Sequence, residues 1–187
     1  MSSSNLVTNS CFLPEIKKRL VDEIDARLDP LAENLQELFT LEEADSNEFL
    51  MRCYMESLRF EPPVPQTTST TFTQDVELCG FNIRKGDPLM LNIEQLHHDP
   101  TQWQRHEEYL PDRWDTSNPL SKKPDGGQRH AYAFAPFVGG RRVCVGKTFA
   151  ELAVKFTLPL IFYHMDFSFK EEAHKITKPK YVIFSNT

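Results

Sequence analysis

One cysteine, Cys144, stands in the stretch that restricts the local backbone more than any other part of the chain. The stretch reads APFVGGRRVCVGKTFA, positions 135–150, and we call residues 135–146 the Cys144 loop. The Gly139–Gly140 pair permits a tight turn, because glycine reaches positive φ without strain. An apolar helical pattern begins directly afterwards, so we predict that Cys144 lies at a helix N-terminus. Backbone N–H groups and the helix dipole stabilise a thiolate there.

The neighbours of Cys144 favour a sulfur that binds a metal. A thiolate with N–H donors, an aromatic shield ahead of the turn (Phe137) and a nearby cation (Arg142) suits ligation of haem iron. One alternative is a buried structural cysteine, since a free cysteine packs as a small hydrophobe. Another is a haem-independent cysteine nucleophile, which needs a histidine base nearby in space. The chain has six histidines, and none stands in a recognisable signature for that role.

The Cys144 loop resembles the cytochrome P-450 (haem-thiolate monooxygenase) family. The family pattern F-x-x-G-x-R-x-C-x-G is met in full by Phe137, Gly140, Arg142, Cys144 and Gly146, and the small residue that follows it by Ala150. The resemblance implies that Cys144 is the proximal iron ligand and that Arg142 pairs with a haem propionate. It also implies that Phe137 shields the sulfur from water, and that Ala150 lets the helix lie close to the porphyrin.

Two further segments match the family, although each is weak evidence for membership when taken alone. Glu56 and Arg59 stand three residues apart on a predicted helix, and such pairs contribute about 0.2–0.5 kcal/mol when exposed. Arg113 follows Pro111, and by itself it is typical of a solvated loop arginine. The resemblance implies that Arg113 joins Glu56 and Arg59 in one buried network. Removal of one partner from such a network strands a charge, at roughly 3–5 kcal/mol.

The resemblance implies an α+β fold, mainly α-helical with a small, mostly antiparallel sheet, and only the C-terminal part of the family fold. Residues 1–187 are then a partial haem-binding domain, with residues 1–13 an unassigned leader. No acid–threonine pair in a glycine-containing helix precedes Pro14, where the family's oxygen-activating helix belongs. We therefore expect no catalytic residue in this chain, and we expect a truncated gene model or a gene fragment. A second propionate-binding arginine, which the family often has near Ser69, is also missing.

Helix signals divide the chain. We predict a helix over residues 14–28, ended by Asp29-Pro30, with charged i,i+4 pairs and a possible short helix within residues 31–40. Asp45 and Glu48 indicate a capping box for a helix that stops before Pro62. The last long helix begins near Val145, and Pro159 predicts a kink or an early stop. Half a haem pocket would leave apolar stripes exposed on the helices at 14–28 and 145–163.

Strand signals follow the second helix. Residues 76–83 alternate apolar and polar side chains with an interruption at Cys79-Gly80, and we predict a turn at 84–87 with a return strand at 89–93. Strands are also predicted at 165–169 and 180–184. His97-His98-Asp99 invites a metal interpretation, but adjacent residues of a strand point to opposite faces. We therefore predict structural or surface histidines.

Composition narrows the class of protein. A net charge of −6 and a sequence pI near 5.5 argue against nucleic-acid binding. The four cysteines are scattered without C-x-x-C spacing, which fits neither a disulfide framework nor a zinc site. The apolar stretch 152–163 is too short for a membrane span, and residues 1–11 lack a signal-peptide pattern. Localisation stays open, although the resemblance is compatible with the endoplasmic-reticulum membrane for a full-length eukaryotic member.

The resemblance also implies the activity and the partners. The cofactor is haem b, and the reaction inserts one oxygen atom of O₂ into an apolar organic substrate, with electrons from a reductase or a ferredoxin. Residues 67–71 and 171–174 correspond to segments that often line the family's substrate pocket. Apart from the resemblance, the basic residues Arg141 and Lys147 beside the loop suggest a docking site for the electron donor. The alternative is a non-catalytic truncated remnant that keeps only the proximal scaffold.

Overall fold

The computed structural model describes residues 2–28 and 40–168. Its α-helices are α1 (Ser2–Phe12), α2 (Pro14–Asp25), α3 (Leu41–Asp45), α4 (Glu48–Phe60), α5 (Ile93–His97) and α6 (Lys147–His164). Its strands are β1 (Thr70–Thr71), β2 (Val76–Leu78), β3 (Phe81–Ile83) and β4 (Pro88–Leu89). Short 3₁₀ helices cover Pro111–Trp114, Pro119–Ser121 and Gly140–Arg142. The described part is mainly helical with small antiparallel sheets, as the α+β prediction requires.

The hydrophobic core lies between α1, α2, α4 and α6. Leu6 of α1, Leu20 and Ile24 of α2, Leu50 of α4 and Leu158 of α6 are all buried in it. The expectation that the apolar stripe of α2 is exposed is therefore wrong. Helix α1, for whose residues the sequence suggested no structure, contacts both α2 and α4.

The start of α4 differs from the prediction. Its N-cap is Asn47, which makes no side-chain capping bond, so the Asp45–Glu48 capping box is wrong. The structure places a capping box one helix earlier, between Thr40 and Glu43 at the start of α3. The first amides of α4 donate instead to a carboxylate from α2, a tertiary contact that local sequence spacing does not encode. Helix α4 ends at Phe60, directly before Glu61-Pro62, as predicted.

The hairpin is shorter than predicted and closes at a different turn. The predicted turn at 84–87 is present, with Asp87 N–H donating to the Arg84 carbonyl at 3.1 Å, but the strands on either side of it, β3 and β4, do not pair. Strand β2 pairs antiparallel with β3, and Leu78 lies opposite Phe81. The turn is therefore Cys79-Gly80 itself, with φ of 51° and 82°. Two-residue type I′ turns require positive φ at both central positions, and their twist matches that of the flanking strands. The predicted return strand at 89–93 is wrong: β4 pairs with β1, and Ile93 begins α5.

Helix α6 continues through Pro159 and ends at His164, so the predicted early stop is wrong. Its buried face carries Val154, Leu158 and Phe162, whereas Phe149 near its start is 77% exposed. Residues 165–168 form no strand. The predictions at 29–39, 171–174 and 180–184 lie outside the described residues. Within residues 2–28 and 40–168, no helix combines the length and apolarity that a membrane crossing needs.

Candidate haem-thiolate site

Backbone hydrogen bonds hold the Cys144 loop in shape. Val138 N–H donates to the Ala135 carbonyl at 3.0 Å, Cys144 N–H to the Phe137 carbonyl at 3.0 Å, and Lys147 N–H to the Cys144 carbonyl at 3.3 Å. The loop therefore turns back on itself and places the exposed side chain of Cys144 three residues before α6 begins. This is the end of a long helix at which backbone N–H groups favour negative charge.

Positive φ angles make the turn possible. Gly140 has φ of 65°, a conformation that glycine adopts without a steric penalty. Val138 also has a positive φ, 61°, and for a β-branched residue this backbone is strained and persists only where the surroundings impose it. Gly139 has an ordinary extended backbone, but a Cβ there would lie 2.7 Å from Cε1 of Tyr132. The two glycines are therefore required for different reasons.

The thiol of Cys144 opens into a cavity of about 420 Å³. Phe137 and Ala150 line this cavity together with Cys144, and so do Leu58 and Thr67. A soft sulfur ligand on a mostly apolar wall is the donor chemistry that haem iron prefers. By this test the residues present fit a haem.

The other members of the loop motif do not line that cavity. Gly140 lines a second cavity of about 600 Å³. Gly146 is the N-cap of α6, and a Cβ there would make ordinary contact with Cys144 Sγ at 3.7 Å. Arg142 is exposed on the 3₁₀ turn. The structure thus brings together Cys144, Phe137 and Ala150, and it leaves Arg142 facing solvent.

Glu56 lies at the centre of the second predicted constellation. Its Oε1 accepts from Nη2 of Arg59 at 2.8 Å, from Nε of Arg113 at 3.0 Å and from Leu110 N–H at 2.8 Å. Its Oε2 accepts from Nε of Arg59 and from Nε1 of Trp114, each at 3.0 Å. The side chains of Glu56, Arg59 and Arg113 are fully buried. We call these three residues the Glu56 network.

The remaining donors of the two arginines bind main-chain carbonyls. Arg59 donates to the carbonyls of His97, His106 and Glu108. Arg113 donates to those of Gln104, Arg105 and Glu108. Because a buried guanidinium is costly unless its N–H groups are satisfied, these carbonyls account for the burial of two cations beside one carboxylate. The network fixes the backbone of residues 97–113 against α4.

Sequence reasoning missed Arg129, which extends this arrangement. Its guanidinium lies 4.3 Å from the ring centroid of Trp103, a cation–π contact. It also donates to the carbonyls of Leu120 and Arg113. Burial, with a further contribution from the charge of Arg113, lowers the pKa of Arg129 to about 10. No local motif marks Arg129, because each of these partners is distant in sequence or is a main-chain atom.

His97 was also missed as a structural link. Its Nδ1 lies 3.2 Å from the Leu58 carbonyl, and its Nε2 accepts from Ala135 N–H at 2.9 Å. Burial lowers the pKa of His97 to about 4. Within the described ranges, no group of three or more His, Cys, Asp or Glu side chains has the geometry of a metal site. The prediction of structural or surface histidines agrees with these contacts, since the rings of His97 and His98 both bond to main-chain carbonyls. His97 ends a helix and not a strand.

The cysteines carry no disulfide. Cys11, Cys53, Cys79 and Cys144 are all free, as their spacing predicted. Cys53 is buried in the core, and that burial raises the pKa of its thiol well above the usual range. Cys79 and Cys144 are exposed, so Cys79 offers a matched control for experiments on Cys144.

Fold and site together define an α+β scaffold that presents an exposed cysteine, Cys144, on an apolar cavity at a helix N-terminus. The family profile of cytochrome P450 matches residues 12–186, and the chain belongs to the cytochrome P450 family. It is 34% identical over 82% of its length to cytochrome P450 4d2 of Drosophila melanogaster. It is equally identical over 82% of its length to cytochrome P450 3A11 of Mus musculus, and 39% identical over 64% to cytochrome P450 4F12 of Homo sapiens.

The match covers only part of each relative. The chain spans 28% of the length of the fly and mouse proteins and 21% of the human one. These relatives are therefore much longer than this chain.

Proposed function

We propose that this chain forms the proximal, thiolate-bearing side of a haem site, in the C-terminal part of a monooxygenase. The reaction inserts one oxygen atom of O₂ into an apolar organic substrate. The observation that carries the proposal is the exposed thiol of Cys144 at the N-terminus of α6, on a cavity shared with Phe137 and Ala150. Family membership supports the same assignment.

Each residue of the motif has a separate task in this proposal. Cys144 binds the iron of haem b as a thiolate, which the N-terminal N–H groups of α6 favour. Phe137 packs beside the sulfur and excludes water, and Ala150 keeps the wall of α6 flat enough for a porphyrin. Gly140 and Gly146 permit the turn and the helix start. Arg142, exposed on its 3₁₀ turn, pairs with a propionate at the rim.

The bound haem supplies the activation of O₂ and the oxygen transfer, and a thiolate ligand favours O–O cleavage. The protein holds the sulfur in place, keeps its surroundings apolar and shapes the substrate space. Thr67 and Thr68, from a segment predicted to line the substrate pocket, border the same cavity as Cys144. The Glu56 network holds the scaffold behind the loop.

The exposed apolar surface beside the site supports a role as one part of a larger protein. Val145, which follows Cys144 directly, is 101% exposed, and Phe149, in the first turn of α6, is 77% exposed. Exposed apolar surface of this kind marks a region that another surface covers. In this proposal the cofactor and further protein cover it, and the distal residues that handle O₂ come from that further protein.

An electron donor, a reductase or a ferredoxin, docks on the basic edge formed by Arg141 and Lys147. Both side chains are exposed. The ammonium group of Lys147 has an acidic neighbour one helical turn on, since its Nζ lies 4.0 Å from Oε1 of Glu151. Charge reversal by Lys147→Glu should slow reduction of the haem by the donor at low salt, where electrostatic steering is strongest. An unchanged reduction rate would remove this docking site from the proposal and leave the haem assignment intact.

The haem assignment is tested with the purified chain, the Cys144→Ala variant and the matched control Cys79→Ala. We expect haem binding with a red-shifted, thiolate-type Soret band after reduction and exposure to carbon monoxide. The band should be lost in Cys144→Ala and retained in Cys79→Ala. Haem that binds identically in all three proteins would refute ligation by Cys144. Failure to bind ordered haem would favour the alternative, a non-catalytic remnant that retains the proximal scaffold.

A further inference from the structure

The ring of His97 joins two parts of the molecule by hydrogen bonds, the end of α4 and the start of the Cys144 loop. On one side, Nδ1 lies 3.2 Å from the carbonyl of Leu58, near the end of α4. On the other side, Nε2 lies 2.9 Å from the backbone nitrogen of Ala135, the first residue of the Cys144 loop. The residue is fully buried, so water does not compete for either contact.

These partners allow only one protonation state of the ring. A carbonyl oxygen accepts and a backbone N–H donates, so Nδ1 must carry the proton and Nε2 must offer its lone pair. A protonated ring would point an N–H at the N–H of Ala135. Burial is the main cause that lowers the pKa of His97 to about 4, with further lowering by the charges of Arg59 and His98. The neutral ring is therefore the form present at neutral pH.

The anchored end of this link is rigid. Leu58 immediately precedes Arg59, whose guanidinium is bonded to Glu56 and also donates to the main-chain carbonyl of His97 at 3.1 Å. The ring centroids of Phe134 and His97 lie 5.2 Å apart, and the two rings are tilted by 32°. His97 is thus fixed to the Glu56 network through its backbone, and its ring is fixed by packing.

At its other end, the link from His97 reaches Ala135, and backbone hydrogen bonds of the Cys144 loop connect Ala135 to Cys144. The Ala135 carbonyl accepts from Val138 N–H, and the Phe137 carbonyl accepts from Cys144 N–H, each at 3.0 Å. Val138 holds a positive φ of 61°, which a β-branched residue keeps only under constraint. Fixing Ala135 N–H sets the start of this sequence of bonds, and the position of Cys144 follows from it.

We propose that His97 is a positioning residue for Cys144, which acts through the acceptor lone pair of Nε2 on the N–H of Ala135 and so fixes the Cys144 loop to α4. The proposal rests on the proposed function, in which Cys144 is the iron ligand. Its structural core, the link between ring and loop, is separately measurable without haem.

Three substitutions at His97 distinguish the loss of the hydrogen-bond acceptor from a change in side-chain volume. In His97→Gln the side-chain oxygen can reach the position of Nε2 and accept from Ala135. In His97→Asn the shorter amide reaches only the position of Nδ1, so the bond to Leu58 is retained and the acceptor is lost. His97→Leu keeps apolar volume and loses both bonds. All three are compared with the unmodified full chain.

The first measurement is amide hydrogen exchange without haem. We expect the amides of Ala135 and Cys144 to exchange at least tenfold faster in His97→Asn and His97→Leu, with near-normal protection in His97→Gln. The amides of α4 should change little in His97→Asn. Equal protection of Ala135 and Cys144 in all four proteins, or a loss of protection spread evenly over α4, would overturn the proposal.

The second measurement is the carbon monoxide spectrum of the reduced, haem-loaded proteins. The fraction of thiolate-type Soret band should fall in His97→Asn and recover in His97→Gln. If the unmodified chain shows no thiolate-type band, the proposed function fails while the exchange data still decide whether the link exists. If the band is present and identical in His97→Asn and His97→Gln, the positioning role fails and the proposed function stands.

Discussion

Nε of Arg113 donates to Oε1 of Glu56 at 3.0 Å, although 57 positions separate the two residues in sequence. Both side chains are fully buried. This bond connects the 3₁₀ helix at Pro111–Trp114 to α4, and the second arginine of the network, Arg59, reaches from the same carboxylate to the backbone beside His97. The Glu56 network thereby fixes the base from which the Cys144 loop is held.

Glu56→Gln should destabilise the protein by about 3–5 kcal/mol, because it leaves two buried guanidinium groups without a counter-charge. The measurement is the free energy of unfolding in urea. Glu48→Gln on the same helix is the control: Glu48 is 76% exposed and pairs with Arg52 at 3.4 Å, so its loss should cost about 1 kcal/mol or less. Equal effects of the two substitutions would contradict the structural role of the network.

Glu23→Ala should cost about 1–2 kcal/mol, as the loss of a helix cap does. The carboxylate of Glu23 accepts from the amides of Phe49 and Leu50 at 3.0 and 2.9 Å, and so caps α4 from a neighbouring helix. Asp22→Ala is the matched control, since Asp22 makes an exposed pair with Lys18. The measurement is thermal unfolding of both variants. A larger loss of stability in Asp22→Ala than in Glu23→Ala would refute the tertiary cap.

Gly139→Ala and Gly140→Ala should both destabilise the loop, but only the first should be rescued by Tyr132→Ala. At Gly139 the added Cβ meets the ring of Tyr132 at 2.7 Å, and this half-exposed ring must move to relieve the collision. At Gly140 the penalty comes from the backbone, whose φ is 65°, and no neighbour relieves it. The measurement is the free energy of unfolding of the single variants and of their double variants with Tyr132→Ala. An equal rescue of both would show that the two glycines share one cause.

Acid should destabilise the protein through His97. Burial lowers its pKa from 6.5 to about 4, so the unfolded chain takes up a proton at a higher pH than the folded chain does. The stability from the neutral ring is complete above about pH 6.5 and is lost as the pH falls towards 4. The total loss is on the order of 3 kcal/mol.

The check is the free energy of unfolding between pH 7 and pH 4, for the unmodified chain and for His97→Gln. Other groups, including His98 with its own lowered pKa, titrate in both proteins. The difference between the two curves therefore isolates His97. The unmodified chain should lose more stability across this range, and parallel curves would contradict a buried neutral ring.

Some predictions made from residues close together in sequence are correct. Pro62 predicted the end of α4, because a residue before proline avoids helical backbone. The paired glycines at 139–140 predicted a turn ahead of Cys144, and the apolar period that follows predicted α6. The same local reasoning misplaced the capping box at Asp45–Glu48. It also placed the hairpin turn at 84–87, since it treated Cys79-Gly80 as an interruption within a strand.

The sequence by itself determined the family motif around Cys144, the helices α2, α4 and α6, and the absence of disulfide spacing, since these depend on residues close together in the chain. Only the tertiary structure decided that Glu23 caps α4 from 26 positions away. It also decided that His97 holds Ala135 across 38 positions. Such contacts form when side chains that are distant in sequence meet in the protein interior, where each buried polar group needs a hydrogen-bond partner. The periodicity of the sequence does not specify which partner that is.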